Sequence, residues 1–89
     1  MSRFSRLQVL NTMVDIGLVP VFYHPDPQVA YHVAEAVAAG GCPLLEFTNR
    51  GDFAPQVFSE LSASLAQTHP DLILGVGSVV DAPTAALYL

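Results

Sequence analysis

Residues 44–51, Leu44-Leu45-Glu46-Phe47-Thr48-Asn49-Arg50-Gly51, decide how the rest of the chain is read. An apolar run with polar side chains at 46, 48 and 50 has the period of a strand, and that period sends Glu46, Thr48 and Arg50 to one face. A carboxylate and a guanidinium on a face that should otherwise be buried are costly to strip of water, so they are kept where they pair or meet a charged ligand. The stretch is expected to be a strand whose end carries a site. The competing expectation is a structural ion pair between Glu46 and Arg50 at a strand end that reaches solvent.

Working outward, strand-like runs alternate with helix signals. Toward the C-terminus, Asp52 is the expected cap of a helix with Ala54, Val57, Phe58, Leu61 and Leu65 on one stripe, Pro55 in its first turn and His69-Pro70 at its end. The run from Leu72 to Val79 then reads as a third buried strand, and Asp81-Ala82-Pro83 as the start of another helix. Toward the N-terminus, Asp26-Pro27 opens a helix whose stripe is Ala30, Val33, Ala34, Val37 and Ala38, with Gly40-Gly41 as its left-handed exit and Tyr31, His32 and Glu35 off the stripe. Leu18 to Tyr23 reads as a strand buried on both faces, although Pro20 demands an edge, a bulge or a kink. Leu7, Leu10, Met13 and Val14 predict a leading helix from about Ser5 to Asp15, stopped at Gly17.

The order is thus helix, then strand-helix three times. Repeated βα units with apolar strands call for a parallel sheet covered by helices. Parallel strands put their C-terminal ends on one rim, here Tyr23-His24, Thr48-Asn49-Arg50 and Gly77-Ser78, where α/β folds place their chemistry. Three strands leave two open edges, and Leu87-Tyr88-Leu89 is apolar with no polar tail, so residues 1–89 are expected to be a single incomplete domain of a larger α/β body. The pattern alone leaves a (β/α)₈ barrel and a doubly wound sheet both open.

Composition narrows the function classes. The 89 residues are 52% hydrophobic and 12% charged, which argues for a packed fold and against disorder. The formal net charge is -5 and the three basic side chains, Arg3, Arg6 and Arg50, are all arginines, so a nucleic-acid surface is not expected, whereas one Arg suffices for a small anionic ligand. The apolar run Ile16 to Tyr23 is far short of the roughly 20 residues of a membrane-spanning helix. The polar N-terminus lacks a signal-peptide core, which leads to a cytoplasmic expectation. Cys42 is the single cysteine and reads as core filler. His24, His32 and Asp26 lack the spacing of a metal triad, and Gly75-Val76-Gly77 lacks the third glycine of a dinucleotide fingerprint.

Four segments in order, Val19-Pro20-Val21, Ala39-Gly40-Gly41, Glu46-Phe47-Thr48-Asn49-Arg50-Gly51-Asp52-Phe53 and Gly75-Val76-Gly77-Ser78-Val79, resemble the N-terminal part of the aldolases that split 2-keto-3-deoxy-6-phosphogluconate and 4-hydroxy-2-oxoglutarate. The resemblance implies the first part of a (β/α)₈ TIM barrel, a leading helix plus about three βα units, in a protein that assembles as a homotrimer. It implies class I aldolase chemistry on a keto acid with a pyruvate moiety, using a Schiff-base lysine and neither cofactor nor metal. By position, Glu46 matches the family's proton-transferring catalytic glutamate, Arg50 its binder of the substrate's anionic group, and Ser78 the hydroxyl that contacts the pyruvoyl moiety. Thr48, on the same strand face by the period above, is the further candidate for substrate contact. Asn49 and Gly51 depart from the leucine and threonine often found beside the arginine, and Ser78 replaces the commoner threonine. The Schiff-base lysine has no counterpart, because the chain has no Lys, and the 89 residues alone are expected to be inactive. The rival expectations are a non-catalytic α/β assembly or binding module and a phosphate-handling barrel without a Schiff base.

Overall fold

The computed structural model describes residues 3–89. Strand β2 (Leu44–Thr48) is the centre of a three-stranded parallel sheet, flanked by β1 (Val21–Phe22) and β3 (Ile73–Gly77) in the order β1-β2-β3. Helices α1 (Arg6–Ile16), α2 (Pro27–Ala39), α3 (Ala54–Thr68) and α4 (Ala82–Tyr88) alternate with the strands. The α/β class, the parallel sheet and the leading helix followed by three βα units are those the sequence predicts. No helix among the described residues is long and apolar enough to cross a membrane.

Register sorts the strand residues into two sets. Val21 pairs with Glu46 and Glu46 with Gly75, while Phe22 pairs with Phe47 and Phe47 with Val76. Paired residues share a face and neighbours along a strand do not. One face therefore carries Phe22, Leu45, Phe47, Leu74 and Val76, and the other Val21, Leu44, Glu46, Thr48, Gly75 and Gly77.

The first set makes the core. Leu45 and Phe47 are buried against Ala30 and Ala34 of α2 and Ala54, Val57, Leu61 and Leu65 of α3. The alanines matter because a missing side chain lets a helix settle close to the sheet, and the space is taken by rings. Phe47 is met edge-on by Phe22 at 5.5 Å and at a tilt by Tyr23 at 5.5 Å and Phe58 at 6.1 Å, geometries that suit aromatic quadrupoles. Across the α2–α3 contact the Tyr31 hydroxyl donates to Thr68 Oγ1 at 2.8 Å.

Local chemistry explains most element ends. Ser5 and Gln8 form a reciprocal capping box at the start of α1, and Gly17 closes it in the left-handed region at φ 71. Asp26 accepts from the Gln28 N–H with Pro27 in the first turn of α2, and Asp81 accepts from the Thr84 N–H at the start of α4.

Several expectations are corrected. Strand β1 is two residues long at the sheet edge, with Val21 exposed, and is not buried on both faces. The reason is Pro20, which has no N–H to donate; its carbonyl accepts from the Glu46 N–H at 2.8 Å and the ladder starts there. Strand β3 is likewise an edge strand and only half-buried. The expected left-handed exit at Gly40-Gly41 is present, with Gly41 (φ 94) taking that conformation and Gly40 remaining right-handed. Asp52 does not cap α3; Phe53 holds the cap position without a side-chain bond, because the Gly51 carbonyl already takes the Ala54 N–H at 3.0 Å. The apolar stripe of α1 buries no residue, Leu7 and Val14 being 68% and 81% exposed.

Candidate functional site

The sheet face opposite the α2–α3 core and the rim above it carry the residues singled out in the sequence. Glu46 is the third residue of β2 and half-buried, its backbone fixed by the pairings to Val21 and Gly75. Its side chain leans along the face onto Gly77, so closely that a Cβ built on Gly77 would overlap the carboxylate. The glycine leaves the space this acid occupies, and a side chain there would displace the carboxylate. Among the described residues nothing donates a hydrogen bond to the Glu46 carboxylate and no cation pairs with it.

Thr48 shares that face and is 1% exposed, and its hydroxyl donates to the Phe22 carbonyl at 3.4 Å. That donor joins the ends of β1 and β2, so the fold itself uses Thr48.

Arg50 lies two residues beyond the strand. Its N–H folds back onto the Thr48 carbonyl at 3.0 Å, a three-residue turn that ends the pleat, so the alternation reaching Glu46 and Thr48 does not govern Arg50. The guanidinium is exposed and has no ion pair or hydrogen bond among the described residues. The structural Glu46–Arg50 pair is not formed. Among the described residues the ion pair present is His32–Glu35 at 3.7 Å on the exposed side of α2.

Ser78 follows β3 at φ 60, the one non-glycine residue among those described in the left-handed region. Such a conformation costs an L-residue about 1 kcal/mol. The Asn49 N–H donates to the Gly77 carbonyl at 2.9 Å, continuing the β2–β3 ladder past the strand end, so the turn bearing Arg50 runs beside the residue that precedes Ser78. The structure thus brings the Glu46 carboxylate, the Arg50 turn and Ser78 to one end of one face.

Other candidates lie elsewhere. His24 Nδ1 accepts from the Asp26 N–H at 3.0 Å and organises the start of α2. Cys42 Sγ donates to the Leu44 carbonyl at 3.3 Å, at the opposite end of the sheet. No group of three or more His, Cys, Asp and Glu among the described residues could hold a metal ion.

Sequence reasoning missed the bond made by Tyr88, and placed Tyr23 on the rim without its contact to Gly51. Tyr88 is half-buried, packs edge-on against Phe58 at 5.1 Å and donates to Asn49 Oδ1 at 2.7 Å, so it is not an exposed apolar end. Burial, with the Tyr23 phenol nearby as the lesser cause, holds the Tyr88 hydroxyl above its ordinary pKa of 10.0, and it stays a donor at neutral pH. The Tyr23 hydroxyl lies so near Gly51 that any Cβ there would overlap it. The signals were Asn49 and Gly51 themselves, the two departures beside Arg50, each of which has a tyrosine fitted to it. No protein-family model matches this chain, and neither does any curated protein.

Proposed function

We propose that these residues form the first part of a (β/α)₈ barrel aldolase acting through a Schiff base on a keto acid with a pyruvate moiety. The observation that carries this reading is the Glu46 carboxylate: without a hydrogen-bond or ion-pair partner among the described residues, seated on Gly77, on the sheet face opposite the α2–α3 core. In a closed barrel that face becomes the interior, and the bare edges of β1 and β3 acquire neighbours.

The chemistry assigns each group a task. An amine from polypeptide outside these 89 residues adds to the keto carbon, and Glu46 moves the protons that turn the carbinolamine into iminium and water. On cleavage the C–C electron pair passes into the iminium, giving an enamine and an aldehyde, while Glu46 takes the proton of the departing alcohol. Protonation and hydrolysis of the enamine return the amine and pyruvate. Arg50 holds the substrate's anionic group with its planar fork, and Ser78 supplies a hydroxyl to the pyruvoyl end.

Borohydride reduction of the intact protein in the presence of pyruvate tests the reading. A permanent pyruvate adduct on a lysine is expected, since only an iminium is reduced to a stable amine. An intact protein that turns over the keto acid without an adduct would have another mechanism, and one that does neither would be a binding module.

A further inference from the structure

Arg50 is exposed and its guanidinium has no ion pair or hydrogen bond among the described residues, yet both of its sequence neighbours are held. Asn49 is fixed twice, by its N–H on the Gly77 carbonyl at 2.9 Å and by its Oδ1, which takes the Tyr88 hydroxyl at 2.7 Å. Gly51 lies against the Tyr23 hydroxyl with no room for a side chain. The two phenols come from different units, one after β1 and one at the end of α4, and each ring is locked by an aromatic neighbour: Tyr23 on Phe47 and Tyr88 on Phe58. Both neighbours belong to the covered face, so the phenols brace the turn from the helix side and leave the rim open.

We propose that Tyr88, acting through Asn49, is a positioning residue that with Tyr23 sets the turn presenting Arg50 to the substrate's anionic group. The proposal rests on the aldolase reading for the identity of that group, and on geometry alone for the bracing. A guanidinium on a loose turn pays for its own ordering whenever it binds; a braced turn has met part of that cost in folding.

The test is Tyr88→Phe in the intact protein, which keeps the ring on Phe58 and deletes the donated hydrogen bond. Loss of one such bond is worth about fivefold in an equilibrium. Amide hydrogen exchange at Asn49 and Arg50 should accelerate by about that factor while α2 and α3 exchange as before. KM for the keto acid should rise by about the same factor with kcat nearly unchanged, and in an Arg50→Ala background Tyr88→Phe should leave KM where it is. Unchanged exchange in the turn overturns the bracing. A fall in kcat at constant KM, or a KM effect that persists without Arg50, overturns the link to Arg50. If the unsubstituted protein yields no reduced pyruvate adduct, the aldolase reading falls by itself and the exchange measurement still decides the bracing.

Discussion

The two faces of the sheet are built from the same three strands and differ in every property that matters for function. The covered face is aromatic and aliphatic, closed by α2 and α3, with Phe47 at 0% exposure. The other face has Val21 half-exposed, two glycines on β3 and, between the buried Leu44 and Thr48, an acid without a partner among the described residues. Period-two geometry makes this division possible, because alternate residues of β2 point to opposite faces; Leu44 and Thr48 on the second face are still buried, and Glu46 between them is the residue left half-exposed. It teaches that Phe47 and Glu46, adjacent on one strand, can be altered one at a time.

The sharpest break in that comparison comes from paired substitutions on β2. Phe47→Ala removes the ring that Phe22, Tyr23 and Phe58 surround, and should cost about 3–5 kcal/mol in urea unfolding, enough to unfold a domain of this size. Glu46→Gln, one residue away on the other face, should shift the same curve by less than about 0.5 kcal/mol. On the aldolase proposal, kcat of the intact protein for keto-acid cleavage should fall by about 10²–10⁴-fold, the usual worth of a proton-transfer group. A large stability loss in Glu46→Gln would mean that the acid also carries the fold.

Smaller effects separate the two glycines of β3. At Gly77 an added methyl overlaps the Glu46 carboxylate, the far end of a flexible side chain, so Gly77→Ala should displace that group at little cost in stability. A shifted carboxyl carbon resonance for Glu46 would report it. At Gly75 a Cβ meets nothing within 4 Å, and Gly75→Ala should leave that resonance in place while stabilising the strand by about 0.5 kcal/mol. Equal effects at the two sites would remove the role given to Gly77.

The smallest effect lies outside both faces. The Thr84 N–H, bonded to the Asp81 carboxylate, holds that group below its ordinary pKa of 3.8. A folded-state value below the unfolded one stabilises α4 above the unfolded pKa, and the contribution is lost as pH falls through the folded value. The Thr84 amide resonance should titrate with a midpoint below 3.8, and Asp81→Asn should abolish that titration.

How much of this could be read in advance depends on the range of each interaction. Helix α2 was legible because Asp26-Pro27 and its small-residue stripe are local signals. The start of α3 was misread because Asp52 is a plausible cap by type, and only the turn geometry at Gly51 shows that the cap falls on Phe53. Apolar content could not separate an edge strand from a central one, so β1 and β3 were expected to be more deeply buried than they are. Glu46 was singled out by alternation, but its seat on Gly77 follows from register, and the alternation was carried too far when it included Arg50. The Tyr88–Asn49 bond spans 39 residues, and no local pattern announces it.

Ser78 offers a last lesson in free-energy balance. Exchanging it for glycine relaxes about 1 kcal/mol of unfavourable torsion, yet the freer unfolded chain takes back about 0.5–1 kcal/mol. These nearly cancel. Thermodynamics is almost indifferent between the two residues at this corner, so an alcohol can be kept or deleted there with hardly any change in how well the protein folds.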